Sequence, residues 1–135
     1  MGVDRIASPI DVAVSGLRAE ALRMRVISNN IANAQTARTD SGEPYRRKTV
    51  MLSADQDALG GVSIDSIAPD MATAFKRVYE PGNPDASADG YVTMPNIDLP
   101  VEMIHLVTAS RSYQANAAVL KRYQEMVNVA IELLR

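Results

Sequence analysis

The chain has 135 residues, 47% of them hydrophobic, with a formal net charge of −2 and no cysteine. That is one domain's length with enough apolar material for a core, which excludes wholesale disorder. Disulfides and thiolate metal sites are excluded as well, and no basic field is present to hold nucleic acid.

The opening MGVDRIASPIDV carries Asp4 and lacks an apolar h-region, so it does not read as a secretory signal peptide. Ile6 stands where the myristoylation pattern needs Ser or Thr. No run approaches the ~20 apolar residues of a membrane helix, and no direct lipid binding is expected.

The first element is a helix over about residues 3 to 34. Val3, Ile10, Leu17, Met24 and Ile31 recur at seven-residue spacing, and Ala7, Val14, Ala21 and Ser28 follow each of the first four by four residues. That is a two-position heptad seam. Pro9 suits a first helical turn, with Ser8 as its cap. Gly16 interrupts the interior at a cost of roughly 0.5–1 kcal/mol relative to alanine, so it marks either a close helix approach or a tolerated flaw. Asn29, Asn30 and Asn33 crowd the last turns, although asparagine is a poor helix former. Asn29 and Asn33, four apart, share a face. Two readings stand: uncharged, specific contacts to neighbouring chains, or a fraying end with Asn33 near a C-cap.

Residues 35–97 are different material. Three strand-like runs, KTVMLSA, VSIDSIA and AFKRVYE, are bounded by turn signals such as SGEP, LGG, APD and EPGNPD. Residues 53–90 hold seven acids against Lys76 and Arg77, just after the basic Arg46, Arg47 and Lys48. The segment is expected to form a small β or extended element without its own core.

Residues 98–135 return to helix. Leu106, Ala109, Tyr113, Asn116, Leu120, Tyr123, Val127, Ala130 and Leu134 alternate three and four apart, with the amide of Asn116 inside the seam as a registry element. Asp98 is the expected N-cap, and Pro100 fits the first turn.

The expected fold class is therefore mainly α with a small β or extended middle segment. Long N- and C-terminal helices (1–34 and 98–135) pair as a coiled coil around residues 35–97, as one structural unit. Two helices of about 30 residues would each be ~45 Å long. A two-helix pair has one seam, yet apolar residues lie off it: Ile6, Val12, Leu22, Val26 and Ile27 on the first, and Ile104, Val107, Val119, Met126, Ile131 and Leu133 on the last. A helix apolar on more than one face is normally surrounded. The middle segment is too small to surround it, so other chains are expected to do so.

Catalytic chemistry is not expected. His105 is the single histidine, no G-x-S-x-G or phosphate-binding glycine loop occurs, and Asp55 and Asp57 lie in a polar turn. DASADG, Asp85 to Gly90, matches the first half of a calcium loop, but Asn96 stands where the bidentate glutamate belongs, so a plain Asp/Gly turn explains it. No cofactor and no metal is expected.

Ser15-Gly16-Leu17 followed by NNIANAQT resembles the N-terminal motif of the flagellar axial proteins, the rod, hook and junction subunits. ASRSYQANAAVLKRYQEMVNVAIELL resembles their C-terminal helix, with Arg111, Tyr113, Gln114 and Asn116 in the expected places. YEPGNPDASADGYVTMPNIDLPVEM resembles the segment particular to the short proximal-rod members. QTARTDSGEPY departs from the shorter step of many relatives. The resemblance implies a structural subunit exported unfolded through the flagellar type III apparatus without a cleaved signal peptide. It would polymerise in the periplasm-spanning rod of the basal body. Its partners would be copies of itself, other proximal and distal rod proteins and the basal-body adaptor. Asn29, Asn30, Asn33, Gln114 and Asn116 would then position the helix pair in a tube. The alternative is a cytoplasmic coiled-coil adaptor or export chaperone of a type III secretion system.

Overall fold

The computed structural model describes residues 8–55 and 60–134. Helix α1 spans Pro9–Ala32 and helix α2 spans Leu99–Leu133. Between them lie strands β1 (Lys48–Ala54), β2 (Val62–Pro69), β3 (Lys76–Tyr79) and β4 (Tyr91–Met94), paired as two two-stranded sheets, β1 with β2 and β3 with β4. Among the described residues no helix is long and apolar enough to cross a membrane.

Both helices begin where their caps predict. Ser8 Oγ accepts from Ile10 N at 3.4 Å while Asp11 Oδ2 accepts from Ser8 N at 3.3 Å, a reciprocal arrangement around Pro9 in the first turn. Asp98 Oδ1 accepts from Val101 N at 3.3 Å at the start of α2. The C-terminal end of α1 is Asn33, whose N–H reaches Asn29 O at 3.1 Å and whose side-chain amide donates to the same carbonyl at 2.9 Å. The side-chain amide thereby adds a second donor to a carbonyl near the helix end.

All three expected strands are present, with the third trimmed to Lys76–Tyr79. The fourth, β4, is an addition. It pairs antiparallel with β3, Val78 opposite Val92 and Tyr79 opposite Tyr91. Only four residues long and hemmed by Gly90 and Pro95, it offers too short an alternation to stand out, although DG before Tyr-Val-Thr is a turn-to-strand signal.

The chain divides into two compact units, one built from residues 1–24, 50–66 and 107–135, the other from 25–49 and 67–106. In the first, α1 lies against both α2 and the β1–β2 hairpin. Ala13, Ala19 and Ala109 are its buried helical positions, small side chains that allow close approach. Gly16 is where α2 comes nearest: a Cβ there would stand 2.7 Å from Asn116 Nδ2 and 3.1 Å from Asn116 Cγ. Of the two readings of Gly16, the close approach is the one observed. On the hairpin side, the Ser15 hydroxyl donates to Val12 O at 2.7 Å and accepts from Val62 N at 3.0 Å. Gly61, at φ +112°, lies so near that a Cβ would be 2.9 Å from Ser15 Oγ. In the second unit Val26, Ile27, Val92 and Ile97 supply the buried apolar side chains.

Gly16→Ala is expected to lower the urea midpoint of the purified chain, followed by circular dichroism, even though alanine is worth ~1 kcal/mol more than glycine in a helix interior. Adding Asn116→Ala removes the obstructing amide and recovers the loss. A coupling of at least ~0.5 kcal/mol in the double-mutant cycle is the expected outcome.

Candidate assembly surface and the network behind it

In the second unit the end of α1, the start of α2 and the strand segments meet at one polar cluster. Asn30 is fully buried, at 0% exposure. Its Nδ2 donates to Lys48 O at 2.9 Å and to Glu102 Oε2 at 3.1 Å. Its Oδ1 accepts from Lys48 N at 3.0 Å and from the Tyr45 hydroxyl at 3.3 Å. The amide thus pairs with both backbone groups of Lys48, as a neighbouring strand would. No other side chain of that length both donates and accepts without charge, which answers why the helix carries an asparagine here.

Glu102 is 1% exposed and ionisable, so it must be matched. Arg47 Nε lies 2.6 Å from its Oε1, and His105 Nδ1 lies 3.6 Å away on the next turn. Arg47 is itself held from three sides. Its Nη1 donates to Thr49 Oγ1 at 2.9 Å, its backbone N–H donates to Asn96 Oδ1 at 2.8 Å, and its carbonyl accepts from Asp70 N at 2.8 Å. The buried Asn96 extends the network by donating to Asp70 O and Thr73 O, each at 3.1 Å. Among the described residues no buried side-chain polar atom lacks a partner.

Two titrating groups feel this cluster. Burial, aided by the negative charge of Glu102, pushes the Tyr45 phenol above its usual value near 10. Hydrogen bonds from the Thr73 hydroxyl and backbone, helped by Ala72 N and the Arg47 charge, hold the Asp70 carboxyl below its usual range.

The sequence-predicted residues fall into distinct environments. On α1, Ile10, Val14, Leu17, Ala21, Met24 and Ile31 are half-buried, while the deepest positions, Ala13, Ala19, Val26, Ile27 and Asn30, lie off the seam. On α2, Ala109 is buried and Leu106, Asn116, Leu120 and Tyr123 are half-buried, whereas Tyr113 and Val127 are exposed and Leu134 is 89% exposed. Val3, Ala7 and Ile6 lie outside the described residues, as does Asp57. Asn29 and Gln114 are exposed, Asn33 is half-buried at the helix end, and Asn30 spends its bonds inside the chain.

Off-seam apolar residues of α2 are exposed: Val107, Val119, Met126, Ile131 and Leu133 are all at least half exposed. From Gln124 to Leu134 every side chain is exposed. Clustered exposed apolar side chains are a mark of interaction surfaces. The Asp85–Gly90 segment is a turn: Gly90 N donates to Ser87 O at 2.8 Å, and the Asp85 carboxylate faces Arg38 at 3.6 Å. Among the described residues no group of acids and histidines gathers to hold a metal.

Sequence reasoning missed Glu102, Arg47, Asn96 and the double role of Ser15. A signal for Glu102 was present, since it falls one heptad before Ala109 and so puts an acid in line with the seam. Arg47 and Asn96 carried none, because their roles depend on partners far away in sequence.

In the sequence two long terminal helices flank a small β-containing middle, and known families match both ends. Residues 10–38 match the family model described as flagella basal body rod protein, and residues 88–133 match the flagellar basal body rod FlgEFG protein C-terminal model. Among curated relatives, the flagellar basal-body rod protein FlgC of Salmonella typhimurium is 45% identical over 120 residues, covering 87% of this chain and 89% of that one. The FlgC of Agrobacterium fabrum is 37% identical over 137 residues and 98% of each chain, and that of Bacillus subtilis is 38% identical over 143 residues, covering 92% of this chain and 95% of its own. The chain belongs to the FlgC family of flagellar basal-body rod proteins.

Glu102→Ala strands the half-buried Arg47 guanidinium and the buried Asn30 amide, so it is expected to cost roughly 1–3 kcal/mol in urea unfolding. Val127→Ala on the exposed face should cost under ~0.5 kcal/mol. A second test uses pH. The folded state holds the Tyr45 proton more tightly than the unfolded state. Its stabilising contribution is whole below pH ~10 and is lost as pH rises through the higher folded value. Urea midpoints measured at rising alkaline pH should fall more steeply for the wild type than for Tyr45→Phe.

Proposed function

We propose that the chain is a structural subunit of the proximal rod of the bacterial flagellar basal body. It polymerises through its terminal helices into the torque-transmitting drive shaft and the wall of the export channel. The observation that carries this reading is the uncovered apolar surface of α2, with all side chains beyond Tyr123 exposed, in a member of a rod-protein family. Helices of this kind gain stability by tertiary packing rather than by propensity, so neighbouring chains complete them. The seam residues pair the helices as a coiled coil, and exposed amides such as Asn29 and Gln114 contribute neutral contacts between subunits.

In this reading the partners are copies of the chain, other proximal and distal rod proteins, and the basal-body adaptor. The flagellar type III export apparatus delivers it unfolded, without a cleaved signal peptide, to the periplasm-spanning rod. The chain performs no catalysis and needs no cofactor; its work is mechanical.

Tryptic-peptide mass analysis of purified hook–basal bodies should recover peptides from residues 78–111 at a few copies per particle. In dilute solution the chain should sediment as a monomer with less helix than α1 and α2 together contain, because the last turns of α2 lack partners. Recovery only from the soluble cytoplasm, as a stable, fully helical dimer, would overturn the rod reading in favour of an adaptor or export chaperone.

A further inference from the structure

Each of the two small sheets has only two strands, so each presents strand edges outside its own ladder. β2 is exposed at every residue from Ser63 to Ile67, and β3 is exposed along its whole length. Exposed edges of this kind invite strand addition, and proteins that remain monomeric blunt them with charge. Here the charges of the two strands are opposite. β2 carries Asp65 and no base, and β3 carries Lys76 and Arg77 and no acid. Apolar side chains flank both: Ile64 and Ile67 on β2, Val78 and Tyr79 on β3, all exposed. Arg77 stacks over Tyr91 at 4.8 Å and has no carboxylate partner among the described residues.

Resting on the rod reading above, we propose that β2 of one copy adds antiparallel to β3 of the next copy, with Asp65 opposite Arg77. That register sets Ile64 against Val78, Ser63 against Tyr79 and Ser66 against Lys76. Charge meets charge and apolar meets apolar on alternate faces. A slip of one residue places Asp65 opposite Val78 or Lys76 and brings Ile64 against Tyr79 or Arg77, so the pattern specifies one pairing. Within a single chain β2 and β3 belong to different sheets, and the contact joins two different patches. Such a head-to-tail contact repeats from copy to copy, giving a ring where its rotation closes and a helical array where it does not, whereas edge pairing of β3 with β3 would close a dimer with bases on both strands. The helices supply the bulk of the buried area, and the strand pairing fixes the rotation between neighbours.

The absence of cysteine makes a direct test clean. Directly paired antiparallel residues have Cα atoms ~4.5–5.5 Å apart, inside the range a disulfide spans. Ile64→Cys and Val78→Cys chains carrying different tags are co-expressed in the source bacterium, and hook–basal bodies are purified and oxidised. Mixed-tag dimers are expected, with same-tag dimers absent, and a chain carrying both cysteines should give a ladder. If both variants enter basal bodies without forming mixed dimers, or cross-link only to themselves or to another rod protein, the pairing is wrong while the rod reading stands. If even the wild-type chain is absent from basal bodies, the rod reading fails and the pairing falls with it. Should the cysteine variants fail to incorporate, the charge swap decides. Asp65→Arg should lower incorporation several-fold, and Arg77→Asp in the same chain should restore it. Internal loss of the Ser53–Asp65 hydrogen bond would not be repaired by a change on β3, so failure of restoration overturns the proposal.

Discussion

The structure of the second unit depends on one uncharged amide placed where a charge would fail. Asn30 hydrogen-bonds both backbone groups of Lys48 and still reaches the buried carboxylate of Glu102. A carboxylate at that position would face a carbonyl and another carboxylate; a hydrocarbon would leave four polar groups unmatched in a dry interior, at roughly 1–3 kcal/mol each. Because Glu102 is held in place, Arg47 is held in place. Because Arg47 is held, its own backbone aligns with Asn96 and Asp70. The unit is organised outward from a side chain that cannot titrate, set beside the buried carboxylate of Glu102, with Tyr45 and Asp70 farther out.

The first unit uses the opposite strategy. Its close contacts come from what is missing: no side chain at Gly16, where Asn116 packs, and none at Gly61, where the Ser15 hydroxyl approaches. Ser15 and Gly16, adjacent in the chain, thereby bind two different elements, the hairpin and α2. The conspicuous N-terminal Ser-Gly-Leu thus has a local physical meaning apart from any role between subunits. Among the described residues, α2 beyond Tyr123 continues as a helix with every side chain exposed.

Periodicity and punctuation made much of this legible. Caps at Ser8 and Asp98 located both helix starts, and turn signals bounded β1, β2 and β3, because those features are encoded by residues within a few positions of each other. β4 escaped because four residues between Gly90 and Pro95 hold barely two alternations. The seam named candidate inward-facing residues, but the deepest positions on α1, Ala19 and Val26 among them, lie off the heptad line. The asparagines were recognisable as anomalies, and Asn33 as a helix-end residue, but the buried role of Asn30 was not. Asn33 ends a helix, Asn30 closes a network, and Asn29 stays at the surface. The part played by Asn30 is set by residues 18 to 72 positions away, which no local pattern reports.

Those separations also set an order of events in time. Asn30 meets Lys48 across 18 residues, Arg47 meets Asn96 and Glu102 across 49 and 55, and Asn30 meets Glu102 across 72. The loops that must close grow in that sequence, each enlargement adding modestly to the entropy lost, and contacts of long span are slow to form. A chain synthesised from its amino terminus cannot complete the cluster until Glu102 has emerged. Until then the hydrogen-bonding groups around Asn30 remain hydrated, and the end of α1 has no tertiary reason to persist. The same polar network that defines the finished unit therefore delays its closure, keeping the nascent chain open for most of its length.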